Sequence, residues 1–578
     1  MVKKKIAFVL AVFCATVLLM AVQKPVFLAY YAADAAQASV GEWLGVVWHG
    51  LTLDSTVAGY VTALPLLLTL VSLWVRLPGR IWRRVLTGYF VLVATVTAVI
   101  FAVDVELYQH WGFRLDATIL IYLTDPEEAM ASVDFWLGVR QTLLAVAYAA
   151  LMVWVYRLVC RLFDGEPLRR RAALLWSLVL LLLAGCDFLA IRGGLGASVA
   201  NVSKAYFSAN MFLNHAATNP VFSFLTSLGD HTDYAAEYPF FDEAGREERF
   251  APLRGNNLSA AAPERVLTTP RPNVVVVILE SFARTVMDAD VGGLPVMPNM
   301  QRLKGEGIWF ENFFANSFRT DRGEVAILSG FPAQTRMSIM KLPAKSRNLP
   351  SLARSLSGAG YATSFSYGGD LNFTDQASYM YATGWQQLTW QKDLRFDTPP
   401  ADWGYDDAVM CDWFADRVIA LSGKGEPFLA GMLTLSSHRP FDVPFSKFDD
   451  KELNAFAFSD ECVGRMVDKL KASPAWDNLL LVLVADHGYP WPRSLSYNEP
   501  LRHRIPMIWL GGAVAAPRVV DTYASQIDIC ATILGQLGID HSDFDYSKDI
   551  FAPTPPRKFA YYTFNDGFGV VDASGEAV

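Results

Sequence analysis

Residues 274–279 read VVVVIL and run directly into Glu280-Ser281-Phe282. A strand with one wet face alternates apolar and polar residues; this run does not alternate, so it reads as a strand covered on both faces. Three more continuous apolar runs follow at 428–435 (FLAGMLTL), 479–486 (LLLVLVAD) and 505–511 (IPMIWLG), separated by helical patterns. Strands of this kind alternating with helices predict parallel pairing and a doubly wound α/β domain.

In an open α/β sheet ligands bind beyond the carboxyl ends of the strands. Three runs end in residues able to do chemistry there: Glu280 after the first, Ser436-Ser437-His438 after the second, and Asp486-His487-Gly488 after the third. A carboxylate, an Asp-His pair and a further histidine at one edge suit a divalent metal and an oxyanion, with manganese, magnesium and zinc all compatible. Each residue also has a plainer role: Glu280 as a helix cap, Asp486-His487-Gly488 as a tight turn, His438 as a hydrogen-bonded structural histidine.

The fourth element is Ser317-Phe318-Arg319-Thr320-Asp321-Arg322-Gly323, ahead of a helical EVAILSG. A hydroxyl at a helix start beside Arg319 and Arg322 is placed to meet a tetrahedral anion. Threonine is a poor nucleophile unless its pKa falls, which a bound divalent cation would bring about. A simple Thr N-cap fits the same spacing.

The first third of the chain has another character. Five apolar runs, 6–22, 56–75, 85–103, 137–155 and 172–191, are each near the ~20 residues that cross a bilayer. Lys3, Lys4 and Lys5, the arginines at 76, 80, 83 and 84, and those at 157, 161, 169, 170 and 171 fall on one side; Asp34, Glu42, Asp54, Asp104, Glu106, Asp116, Asp125, Glu127 and Glu128 fall on the other. Basic loops stay in the cytoplasm, so everything after Ile191 is expected outside. Two outer stretches, 42–51 and 108–122, carry interfacial tryptophans, and Arg140 is expected to snorkel from the fourth span. The organisation read is therefore a five-helix transmembrane domain at 1–191, a partly helical linker at 192–268 and an extracytoplasmic domain at 269–578.

Composition agrees. Of 578 residues 52% are hydrophobic, too many for a wholly soluble protein, and the net charge of −8 offers no basic field for nucleic acid. The six cysteines form no CxxC or zinc-finger spacing.

In combination NVVVVILESF, NSFRTDRGE, SSHRPF, ADHG and SQIDICATILGQLG, behind five spans, resemble the lipoteichoic acid synthase and phosphoglycerol transferase family, in the sulfatase-like branch of the alkaline phosphatase superfamily. The resemblance implies an alkaline-phosphatase-like α/β domain and a metal, typically manganese, held by Glu280, Thr320, Asp486 and His487. It also implies that Thr320 is the covalent nucleophile, with His438 near the transferred group. The implied enzyme is a phosphotransferase of the bacterial cytoplasmic membrane and cell envelope, moving a phospholipid head group to a glycan or lipid acceptor. Residues 367–376 read YGGDLNFTDQ, without the Trp and Arg that hold glycerol phosphate in the lipoteichoic acid synthases. Asp370, Asn372 and Asp375 are the residues of that stretch able to contact a polar head group, unless they form an Asx-rich turn. A phosphoethanolamine transferase is the nearest alternative; a receptor or scaffold that keeps the fold without catalysis is the alternative of another class. A sulfatase needs C/S-x-P-x-R, which none of Cys411, Cys462 and Cys530 begins.

Overall fold

Apolar runs of membrane-spanning length satisfy their backbone in lipid by becoming helices. The computed structural model has five such helices among the described residues: α1 (Val2–Tyr30), α2 (Val40–Val71), α3 (Gly79–Trp111), α4 (Phe135–Cys160) and α5 (Arg170–Arg192). Residues 2–117, 119–120, 135–229, 239–254, 262–553, 558–565 and 567–577 are described, and they fall into two units, Met1–Asp233 and Tyr234–Val578. The outward leucines of α5, among them Leu174, Leu178 and Leu182, are exposed and present a surface suited to acyl chains.

Residues 42–51 are the first turns of α2, whose start is set by a capping box between Ser39 and Glu42, and Trp48 there is exposed. Two expectations for this unit are corrected. Arg140 pairs with Glu106 at 2.7 Å, because Tyr30 and Gln141 gather at the same carboxylate. The stretch after Ile191 is not all linker, since α6 (Met211–Ala217) and α7 (Pro220–Ser227) pack against α2. The reason is buried polarity: Asn219, which caps α7, donates to Asp54 Oδ1 at 2.8 Å, and Asp54 is paired with Lys24 at 2.6 Å. From the outer stretch 108–122, Tyr108–Trp111 close α3, while Tyr122, Asp125, Glu127 and Glu128 lie outside the described residues.

The second unit is built on a sheet of eight strands: β1 (Asn273–Leu279), β2 (Ile308–Phe310), β3 (Ala362–Tyr367), β4 (Gln387–Trp390), β5 (Phe428–Leu433), β6 (Leu479–Ala485), β7 (Met507–Leu510) and β8 (Arg518–Val520), in spatial order β8-β2-β7-β6-β1-β5-β3-β4. β1 pairs in parallel with β5 and β6, and all three are buried along their whole length, as the unbroken apolar runs require. One strand departs from the expected all-parallel sheet: β7 runs antiparallel to both β6 and β2. An apolar run reports burial, not direction. After β8 the chain forms a small antiparallel sheet from Phe559–Phe564, Gly567–Asp572 and Gly575–Ala577.

The Lys24–Asp54 pair is sealed from solvent, so removing one partner strands a charge. Lys24→Met is expected to destabilise the detergent-solubilised protein by about 3–5 kcal/mol, and Lys24→Met/Asp54→Leu to recover most of that loss. Thermal unfolding of both variants checks this; a double variant as unstable as the single one would exclude a charge-pair origin.

Candidate active site

The register that pairs Leu279 with Ala485 makes the next residues on the two strands, Glu280 and Asp486, leave the sheet side by side. Both are buried. Ser281 then adopts a positive φ of 59°, a conformation that costs a non-glycine residue about 1–2 kcal/mol. It is held there by what it touches: its N–H donates to Asp486 Oδ1 and its hydroxyl to Glu280 Oε1, each at 2.7 Å. His487 N also donates to Asp486 Oδ1, at 2.7 Å.

Asp486 Oδ2 remains buried without a hydrogen-bond donor among the described residues. Glu280, Asp486 and His487 each offer one ligand atom, all within 4.8 Å of one another. An orphaned carboxylate oxygen in a group of two carboxylates and an imidazole fits a divalent cation. Without one, burial first and the Asp486 charge second push Glu280 up to about 7, and burial pushes Asp486 up to about 6. Burial lowers His487, leaving its ring neutral as a ligand must be.

Thr320 opens helix α8 (Thr320–Ser329), and the cap residue is Arg319. The threonine hydroxyl therefore does not cap the helix; it donates to Glu280 Oε2 at 3.2 Å. What brings α8 so close is Gly323, where a Cβ would stand 2.1 Å from the Asp486 carbonyl oxygen. Gln526 adds a clamp: its amide donates to the carbonyls of Ala485 and Asp486 and accepts from Asn316 N, all at 2.7 Å. The loop after β5 is held by Asp407, whose carboxylate accepts from Leu435 N at 2.7 Å and Ser436 N at 3.1 Å. That loop presents His438, whose Nδ1 lies 2.7 Å from the Arg439 carbonyl; with the proton there, Nε2 is left for the cavity.

Glu280, Arg319, Thr320, His438 and His487 line one cavity of about 500 Å³. Arg322 is not among its lining residues; its guanidinium donates to Ser317 Oγ at 3.2 Å and the Thr335 carbonyl at 3.1 Å, inside the protein. Asp370, Asn372 and Asp375 do not line it either. Asp370 Oδ1 accepts from Asn372 N and Nδ2, both at 2.9 Å, and the stretch turns Phe373, Thr374 and Gln376 to the cavity instead. Trp403, stacked edge-on 4.8 Å from the His438 ring, and Arg502 complete the wall. Sequence reading missed both. The WGYDD stretch at 403–407 carried a signal for Trp403, but nothing local separates Arg502 from Arg504.

Residues 272–539, which carry this carboxylate-histidine cluster and the helix-opening hydroxyl, match the Sulfatase family model. The chain is 27% identical over 319 residues to phosphoglycerol transferase I of Xanthomonas campestris pv. campestris, covering 50% of this chain and 43% of that protein. With phosphoglycerol transferase I of Salmonella arizonae it shares 28% over 301 residues, 48% of this chain and 39% of that one. The chain thus aligns with less than half the length of these curated relatives. Among solved structures, a protein in the alkaline phosphatase superfamily from Vibrio parahaemolyticus superposes with a TM-score of 0.51 at 25% identity, over 58% of this chain and 85% of that one. A lipoteichoic acid synthase from Listeria monocytogenes shares the fold at TM-score 0.50 and 19% identity, over 56% and 90%.

Two outcomes follow from this geometry. Both carboxylates have raised pKa values and must lose protons to hold a cation, so affinity falls as pH drops through about 7 and then about 6. Calorimetric titration with Mn²⁺ is expected to give about hundredfold weaker binding at pH 5.5 than at pH 7.5; equal affinities would remove the carboxylates from the ligand set. Gly323→Ala is expected to weaken Mn²⁺ binding about tenfold or more by displacing α8 from Asp486, whereas Gly358→Ala, with open space at its Cβ position, leaves it unchanged.

Proposed function

We propose that this chain is a metal-dependent phosphotransferase of the bacterial cytoplasmic membrane, transferring a phospholipid head group of the phosphoglycerol type to a glycan or lipid acceptor. The observation that carries this reading is the convergence on one cavity of Thr320, Glu280, His487 and His438, with the buried Asp486 clustered against Glu280 and His487. The likeness to two phosphoglycerol transferases supports phosphoglycerol as the group moved. The charge bias of the membrane loops supports an extracytoplasmic catalytic domain, where an outer-leaflet head group is accessible.

Glu280, Asp486, His487 and the Thr320 oxygen would hold the cation, with manganese favoured by the family resemblance. A divalent cation there supplies positive charge that favours the threonine alkoxide and offsets charge on the phosphoryl oxygens. Thr320, held at the start of α8, is aimed so that its Oγ1 forms a bond to phosphorus while the bond from phosphorus to the diacylglycerol oxygen breaks. The departing alkoxide takes a proton from protonated His438. The now neutral Nε2 then accepts the proton of the acceptor hydroxyl as that oxygen attacks phosphorus and Thr320 leaves; the proton that the threonine hydroxyl passed to Glu280 Oε2, 3.2 Å away, on its own attack returns to it at this point. Phe373, Trp403 and Tyr497 wall the cavity and limit water around the covalent ester.

The test uses the full chain in detergent with Mn²⁺ and phosphatidylglycerol. Wild type is expected to release diacylglycerol and carry a glycerophosphoryl adduct on the Thr320 peptide; Thr320→Ala is expected to lose both, with release down about a thousandfold or more. Equal release by the two proteins would remove Thr320 from the chemistry. Lipid mass spectrometry of cells with and without the gene product identifies the head group: loss of a phosphoglycerol-modified glycan or lipid fits the proposal, and loss of a phosphoethanolamine-modified one replaces the head group named here.

A further inference from the structure

Arg502 lies in the wall of the catalytic cavity and is only 6% exposed. Its guanidinium pairs with no carboxylate and donates no hydrogen bond among the described residues, and its Nε is sealed from solvent without an acceptor. The nearest compensation is the ring of Tyr497, with the guanidinium carbon 4.1 Å above its centroid. A cation over an aromatic face recovers only part of what burial costs a charge. Arg319 and Arg439 line the same cavity but are exposed and keep their water.

The place of this cation is built by its neighbours. Gly488, next after His487, packs so closely on the chain at Arg502 that a Cβ would stand 1.9 Å from the Arg502 carbonyl oxygen. On the other side Tyr497 meets Phe318, two residues before Thr320, with ring centroids 4.7 Å apart. Arg502 is therefore braced between the His487 turn and the loop that delivers the nucleophile. It thus presents guanidinium donors to the cavity with no carboxylate among the described residues to take them.

We propose that Arg502 is the anion-recognition residue of this cavity, and that the charge it awaits is the non-bridging oxygen of a phosphodiester bound for attack by Thr320. A planar fork of donors matches phosphoryl oxygens geometrically, and a monoanionic diester brings the negative charge that Arg502 has no carboxylate to supply. This assignment rests on the phosphotransferase reading above, and the experiment separates the two.

The test uses the full-length Thr320→Ala protein in detergent, which binds without turnover, saturated with Mn²⁺. Calorimetry measures glycerophosphoglycerol and, separately, inorganic phosphate, in this parent and with Arg502→Met added. The added substitution is expected to weaken glycerophosphoglycerol about thirtyfold or more, to leave Mn²⁺ affinity unchanged, and to raise or maintain the melting temperature of the unliganded protein, because an uncompensated charge has gone. Arg502→Lys, which keeps charge but not the fork, is expected to fall between. A merely structural arginine would do the reverse: Arg502→Met would melt earlier and bind the diester as the parent does, and that result overturns the proposal. If the parent holds inorganic phosphate through Arg502 but not glycerophosphoglycerol, the anion subsite stands and the head-group reading falls. If Arg502→Met holds both anions as tightly as the parent, the subsite is excluded.

Discussion

Two carboxylates are forced together with almost no exposure to solvent, and the rest of the second unit's candidate site is arranged around that fact. Parallel pairing of β1 with β6 puts Glu280 and Asp486 side by side, 3% and 0% exposed. Like charges within 4.8 Å repel by about 3 kcal/mol or more at an effective dielectric near 20. The amides and hydroxyl that reach them are dipoles and cannot cancel full charges. Burial raises the pKa of each, and the Asp486 charge adds to the rise at Glu280, so the cluster suits a cation. The turn at Ser281, the close approach of α8 and the Gln526 clamp then read as consequences: each serves to hold a hydroxyl and two acids in one geometry.

Much of this was legible in the residues because the central strands are the simplest kind of sequence signal. β1, β5 and β6 are apolar throughout, and each ends on a polar residue of the site. The flanking strands were harder. β3 reads ATSFSY, in which small and polar residues hide a buried strand, and β2 and β8 are three residues long. The direction of β7 is absent from its composition altogether. Among site residues the pattern repeats. Glu280, Thr320, His438, Asp486 and His487 stand at element ends where sequence reading looks. Asp370 and Asn372 bond to each other within a turn, and Arg322 and Arg502, buried alike, are told apart by what they meet: Ser317 and the Thr335 carbonyl for the first, the ring of Tyr497 for the second.

The membrane unit makes the same point with longer reach. Five spans were countable from hydropathy, yet the chain after the fifth span was read as linker because its helices are short and its apolar content mixed. What folds it back is Asn219 meeting Asp54, 165 positions earlier in the chain, where Lys24 is already paired. A contact of that separation leaves no local trace. Polar groups buried in apolar surroundings must find partners, so they specify packing more sharply than the leucines around them.

Gly323 fits against the carbonyl of Asp486 with no side chain between them, so the helix that opens on Thr320 is set against the end of β6 at main-chain distance. Other segments add to the cavity wall: Phe373, Thr374, Gln376, Trp403, Tyr497 and Arg502. They are not equally tied to the Thr320 and His487 loops, since Arg502 packs on Gly488 and Tyr497 on Phe318. On the proposed phosphotransferase reading, a lineage can rewrite the 373–376 loop for a new head group with little disturbance to the reaction, whereas a change at Tyr497 or Arg502 disturbs both.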